Sequence, residues 1–151
     1  MTSLSKYFKI AAIIPSEIII VIGIILSITH DGSSYKSEWF TDDGFVLSVM
    51  LTILLSCFIS TLCLTIFLNK FIIVKANTLL SAIAWILLPS SVCIFIIYEE
   101  TLNFIGYAKI NGIYPGDRIF DCYVMLVAIL HLTGLSWSYK QFRSKAHSTI
   151  G

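Results

Sequence analysis

The chain has 151 residues, of which 57% are hydrophobic and 13% are charged, and its formal net charge at pH 7 is +1. A water-soluble domain carries about 25% charged residues, so this composition excludes an ordinary soluble domain and predicts a membrane protein. The lipid bilayer is therefore its expected surrounding, and no nucleic-acid partner is expected.

Four apolar stretches are long enough to cross a membrane as helices. A hydrocarbon core of about 30 Å takes about 20 apolar residues, and the stretches at 10–29, 45–68, 78–98 and 119–139 reach that length without a Lys or Arg. The first is longer than the apolar part of a signal peptide and contains Glu17, so we interpret it as a retained span. The sequence predicts an all-α membrane protein, a four-transmembrane-helix bundle in one domain over 1–151.

The connections between the spans are short, and their charges predict the orientation. The outer loops cover 30–44 and 99–118, the inner loop 69–77 and the tail 140–151, none long enough for an independent core. Seven basic residues lie on the side of the termini and three on the other side. Cytoplasmic loops carry the excess of positive charge, so both termini are expected in the cytoplasm. Size and layout favour a bacterial inner (plasma) membrane.

The second outer loop contains FIGYAKINGIYPGD, in which Asn111 and Gly112 stand between apolar residues as in a two-residue hairpin turn. This pattern predicts a short hairpin on the outer surface. Both outer loops are acidic and rich in apolar residues, which suits either contact with another protein or a simple cap on the bundle. The residues expected at such a contact are Trp39, Asp42, Asp43, Tyr107, Ile110, Ile113 and Tyr114.

Small polar residues recur every four positions along the second span, and they are Ser48, Thr52, Ser56 and Ser60. Small side chains let helix backbones approach each other within lipid, so this row predicts a helix-packing face rather than a polar channel lining. Pro15 and Pro89 interrupt the first and third spans and are predicted to bend them. Ser90 and Ser91 follow Pro89 and could bond to carbonyl groups near the break.

Glu17 lies deep inside the first span. An ionised carboxylate there costs about 2.5–3.5 kcal/mol, so it should face the bundle and find a partner. Glu17 is eight residues past Lys9, or about 12 Å deep. His131 is nine residues before Lys140 on an antiparallel helix, at nearly the same depth. The sequence therefore predicts a buried Glu17–His131 pair, bonded directly or through a water, if the first and fourth helices are neighbours.

The charge state and the role of that pair stay open at this point. Burial pushes both groups toward neutrality, whereas pairing favours the charged forms. A polar contact that orients two helices is the preferred interpretation, and a proton or cation relay is the alternative.

Motifs for catalysis and metal binding are not found in the sequence. The four cysteines include no C-x-x-C pair, although Cys93 and Cys122 could meet, and the three histidines are dispersed. No phosphate-binding glycine loop, nucleophile elbow or H-E-x-x-H motif occurs. We therefore expect that the chain is not an enzyme and binds no metal or cofactor.

Two resemblances bear on function. Glu17 in PSEIIIVIG is similar to the first-span glutamate of small multidrug resistance exporters, which exchange protons for cationic substrates. The layout resembles small four-span inner-membrane immunity proteins, which protect bacteria from colicin-type or contact-dependent toxins. That second resemblance implies lateral binding of a membrane-inserted toxin and is the preferred hypothesis. An accessory subunit of a membrane complex and a proton-coupled cation transporter are the alternatives, and self-association of the chain is left open.

Overall fold

A computed structural model of the chain describes residues 4–29, 42–111 and 119–147. These ranges form four long helices and no strand: the first helix is Leu4–Thr29, the second 42–70, the third 78–111 and the fourth Ile119–His147. A short helix, Ile72–Ala76, connects the second and third helices. All four long helices contain a segment long and apolar enough to cross a membrane, so the predicted all-helical architecture with four spans is confirmed.

The helices extend past the stretches predicted from hydropathy. The first begins at Leu4, and the fourth continues to His147 through most of the predicted tail. The third continues to Asn111, into the predicted outer loop. Hydropathy marks only the part of a helix that lies in lipid. The backbone hydrogen bonds of the helix can continue beyond that part, until a residue that disfavours a helix ends them.

The third helix corrects the hairpin predicted in the second outer loop. Residues 104–111 of that segment are helical, so the first strand of the hairpin is not formed. No proline interrupts the ladder before Pro115, and the apolar residues suit a helix as well as a strand.

The bundle places the first helix between the second and the fourth, and the third helix packs mainly against the fourth. The first and fourth helices are therefore neighbours. Gly134 allows their closest approach, because a Cβ atom there would lie 2.7 Å from the carbonyl oxygen of Ile10 and 3.2 Å from Cγ of Pro15. The absence of a side chain at Gly134 thus sets the spacing of these two helices.

Two apolar clusters fill the interior. One lies toward the basic end of the bundle, the end that carries Lys6, Lys70 and Arg143; its buried members are Tyr7, Ala11, Ala12, Cys63, Ile66, Trp85, Leu135 and Phe142. The other lies toward the opposite end, and its buried members are Ile19, Val49, Ile59, Cys93, Tyr123, Val127 and Ala128. On the first, second and fourth helices a polar residue lies between the two clusters, so a polar layer separates them.

The winding of each helix matches the spacing of its buried residues. One row of buried residues along the first helix falls on every fourth position: Tyr7, Ala11, Pro15, Ile19 and Gly23. At 3.6 residues per turn such a row drifts around the helix by about 40° per step. The segment Lys9–Ile13 is wound as a π-helix, with more residues per turn, and this corrects much of the drift.

The same match holds elsewhere in the described bundle. The third helix buries Ser81, Trp85, Pro89 and Cys93, again every fourth residue, and it contains a π-helical segment, Ile83–Leu87. The end of the second helix has the opposite spacing. Cys63, Ile66 and Asn69 are buried every third residue, and Cys63–Lys70 is a 3₁₀-helix with three residues per turn.

Each π-helical segment ends two residues before a proline, Pro15 or Pro89. A proline ring crowds the carbonyl group four residues back and donates no hydrogen bond, and a wide turn relieves that crowding. After Pro89, the Ser90 hydroxyl donates to the carbonyl oxygen of Ile86 at 2.5 Å, and Ser91 donates to that of Leu88 at 2.8 Å. Both helices therefore continue through their prolines.

Candidate functional site

The polar layer joins three of the four helices through serine hydroxyl groups. Ser16 Oγ on the first helix lies 3.0 Å from Ser56 Oγ and 2.7 Å from Ser60 Oγ on the second. Ser60 Oγ in turn lies 3.3 Å from Nε2 of His131 on the fourth helix. Hydrogen bonds of this kind hold helices together in lipid, where the hydrophobic effect between them is small.

The row predicted as a helix-packing face supplies two members of this layer. Thr52 and Ser56 are buried, and Ser60 is half-buried beside the first helix. The side chain of Ser48 lies outside the described residues. The small hydroxyl groups thus combine two tasks, since they permit close approach and bond across the contact.

His131 is fully buried, and the surroundings of its ring fix one of its protons. Nδ1 lies 2.9 Å from the carbonyl oxygen of Val127, which can only accept, so Nδ1 donates that bond. Nε2 faces the Ser60 hydroxyl, which also lies 3.2 Å from the carbonyl oxygen of Ala12. The Ser60 hydroxyl has one hydrogen to donate, and the charge of the imidazole ring decides whether it is donated to Nε2 of His131 or to the carbonyl oxygen of Ala12.

Both charge states of His131 can be accommodated by this arrangement. In the neutral ring, Nε2 accepts a hydrogen bond from the Ser60 hydroxyl. In the protonated ring Nε2 donates to Ser60 Oγ, and the Ser60 hydroxyl then donates to Ala12. In either charge state, both ring nitrogens of His131 thus have a hydrogen-bond partner.

The predicted Glu17–His131 pair is contradicted by these contacts. His131 bonds to Ser60 and Val127, whereas Glu17 is exposed on the outer surface of the bundle. Within the described part of the chain, no group bonds to the Glu17 carboxylate. The two residues lie at the same depth, but their side chains point in different directions. Each step of one residue along a helix turns the side chain by about 100°, so depth alone does not determine direction. Ser16, one residue earlier, occupies the place toward the bundle.

The surroundings of Glu17 are apolar. Its neighbours on the outward face are Ile13, Ile14, Val21 and Ile24, whose side chains are 36%, 47%, 55% and 52% exposed. Each isoleucine favours insertion by about 0.3–0.6 kcal/mol, and ten of them lie between residues 10 and 29. Their sum of about 3–6 kcal/mol offsets the cost of one carboxylate, about 2.5–3.5 kcal/mol. The helix can therefore insert with Glu17 unpaired, at a cost that a partner would remove.

Among the other hydrogen bonds between helices that were not predicted, two involve buried aromatic side chains. Trp85 Nε1 donates to Ser138 Oγ at 3.0 Å, and the Tyr123 hydroxyl donates to the carbonyl oxygen of Ile19 at 2.6 Å. Buried indole and phenol groups usually find such partners, which is the signal that could have indicated these two bonds. Gly23 makes room for the second bond, because a Cβ atom there would lie 2.5 Å from the Tyr123 hydroxyl oxygen.

An aromatic cluster surrounds the first of these bonds at the basic end. The ring of Tyr7 lies 5.8 Å from that of Trp85 and 5.7 Å from that of Phe142, and the Trp85 and Phe142 rings are 4.7 Å apart. The Tyr7 hydroxyl is buried with no partner among the described residues. The cluster fixes the start of the first helix against the third and fourth.

The residues predicted to contact a partner through the outer loops are only partly described. Asp42 and Asp43 begin the second helix, and Tyr107 and Ile110 lie in the last turns of the third, with side chains that are not described. The other three, Trp39, Ile113 and Tyr114, lie outside the described residues. Their role in binding stays a prediction.

The four cysteines form no shared site in the part of the chain that the structure describes. All four cysteines are free; Cys93 is buried and Cys122 is exposed, so the contact considered for them is not formed. Among the side chains that the structure describes, no group of three or more His, Cys, Asp or Glu suited to a metal ion occurs.

The four candidate spans define an integral membrane protein of the all-helical class. Comparison with known proteins finds no family model, no curated protein and no solved structure that matches the chain. The polar layer and the outward face that carries Glu17 are the features of the bundle that bear on its function.

Proposed function

We propose that this protein binds another membrane-inserted protein side by side within the bilayer, and that it acts as an immunity protein that neutralises a pore-forming or membrane-targeting toxin. The observation that carries the proposal is the outward position of Glu17 in the middle of an apolar helix face. Charged residues within membrane spans are costly and mark functional sites, which supports a contact with another protein at this position.

The bundle suits this role because the polar groups of its central layer already bond to one another. Ser16, Ser56, Ser60 and His131 form a closed layer, so they hold the helices in a fixed arrangement. A rigid bundle presents the outward face without a further ordering cost, which favours tight lateral binding. By binding the inserted helices of a toxin, the protein would prevent their assembly into a pore.

Co-expression tests the proposal. The protein is produced together with the product of each neighbouring gene, and growth and membrane potential are followed after induction. Protection against one such product is the expected result. Absence of protection against every product that permeabilises the membrane would refute an immunity role.

An accessory subunit of a larger membrane complex is the second candidate function, and it draws on the same exposed Glu17. It predicts that the protein is degraded when its partner is deleted, and that deletion of the protein itself impairs the complex. Proton-coupled transport of a small cation is less well supported, because Glu17 faces away from the polar layer inside the monomer.

A further inference from the structure

The outward face of the first helix, defined here by Ile13, Ile14, Glu17, Val21 and Ile24, combines an aliphatic surface with one carboxylate. The other acidic side chains that the structure describes are Glu99, Glu100 and Asp121, and all three lie toward the end of the bundle opposite the basic end. A carboxylate offers acceptor oxygens only, so its partner has to be a donor.

We propose that this outward face is the docking site for a membrane-spanning helix of a different protein, and that this helix carries one Lys or Arg at the depth of Glu17. The inference rests on the proposed function and specifies the chemistry of its partner. A lone cation within a span is as costly as a lone carboxylate. Contact between the two removes both costs, and attraction between opposite charges is strong where the dielectric constant is low.

A second copy of the chain fits this face less well than a foreign helix. The four predicted spans contain no Lys or Arg, and the imidazole of His131 is bonded inside its own bundle. Two copies that met through this face would therefore bring one carboxylate toward another. Like charges within a span repel or force one of the two groups to stay protonated.

The shape of the face also indicates how the partner is reached. Its side chains are mostly β-branched, and the one glycine nearby, Gly23, is buried under Tyr123 and Val49. Close approach of two backbones, which needs small residues, is not available on this face. A long Lys or Arg side chain can span the larger separation and still place its charge beside Glu17.

Glu17 lies eight residues from Lys9 and twelve from Thr29, close to the middle of the first span. A test helix with its cation at mid-span therefore meets Glu17 in either orientation. The probe is a synthetic helix of about 21 Leu and Ala residues with one central Lys. An otherwise identical helix with Leu at that position is the matched control.

Association is measured by energy transfer between the labelled full-length protein and the labelled helix in phosphatidylcholine vesicles. We expect the Lys helix to bind about tenfold more tightly than the Leu helix, equivalent to about 1.4 kcal/mol. Glu17→Gln is expected to abolish this difference, whereas Glu99→Gln, near the opposite end of the bundle, is expected to retain it. Because Glu17 is exposed, its replacement by Gln leaves the interior intact.

Charge reversal provides a second, independent measurement. The Glu17→Lys variant should prefer a helix with a central Glu over the Lys helix, which a purely structural role of Glu17 would not produce. Equal binding of the Lys and Leu helices to the native protein would overturn the proposal. So would self-association of the native protein that is tighter than its binding to the Lys helix and is lost in Glu17→Gln.

The same variants separate this inference from the proposed function. Protection against a toxin that is equally strong in Glu17→Gln would leave the immunity role standing and refute the docking site. Selective binding of the Lys helix without protection against any toxin would support the docking site and refute the immunity role.

Discussion

Replacing Gly134 by Ala should separate the first and fourth helices. The added Cβ atom would lie 2.7 Å from the backbone oxygen of Ile10, and a backbone atom cannot move aside as a side chain can. Overpacking of this kind typically costs about 1–3 kcal/mol. The change from Gly to Ala within a helix returns about 1 kcal/mol, so the net loss of stability for Gly134→Ala is about 0–2 kcal/mol.

Gly106→Ala is the matched control, because no atom lies within 4 Å of a Cβ at that helical position. It should gain the same helix propensity without the clash. The difference between the two variants then isolates the packing cost of about 1–3 kcal/mol. For a chain of this size that corresponds to about 2–12 °C in Tm. Thermal unfolding of both variants in the same detergent measures it, and equal Tm values would refute the close contact at Gly134.

Three further predictions concern the bonds inside the bundle, and each is checked by detergent-based unfolding of the variant. Ser60→Ala removes the residue that joins the three helices in the polar layer and should lower the free energy of unfolding by about 1–3 kcal/mol. The control is Thr61→Ala, because Thr61 is exposed and bonds only to its own helix, and it should change the free energy of unfolding by no more than about 0.5 kcal/mol. Equal effects of the two variants would contradict the polar layer. Tyr123→Phe deletes the bond to the first helix and should cost about 1 kcal/mol, so an unchanged stability would argue against that bond. Trp85→Phe loses the bond to Ser138 and should be destabilising by at least a similar amount, and a stabilised variant would be inconsistent with it.

The number of spans could be predicted because lipid imposes it. A helix that crosses the hydrocarbon core needs a long apolar stretch, and four such stretches stand out in the composition. The ends of the helices could not be predicted in the same way. The third helix runs to Asn111 past Glu99 and Glu100, since water outside the bilayer tolerates a helix as readily as a loop.

The candidate site was predictable in depth and not in direction. Counting residues from Lys9 and Lys140 placed Glu17 and His131 at the same level, but the direction of a side chain changes by about 100° with each residue. The sequence did contain a usable signal, because Ala12 and Ser16 are small residues four positions apart, and small residues at this spacing favour contact between helices. The structure shows that Ser60 of the second helix contacts both of them.

The π-helical segments carry a consequence for how this chain can vary in length. A π-helical turn amounts to one residue inserted into a regular α-helix, with the helix on either side kept in register. A chain one residue shorter within Lys9–Ile13 or Ile83–Leu87 would therefore wind as a plain α-helix and still present the same side chains inward and outward. Loss of one residue a few positions beyond either proline would instead rotate everything after it relative to its neighbours. A deletion within either wide turn therefore keeps the register of the described spans, although it restores the crowding by Pro15 or Pro89 that the wide turn relieves.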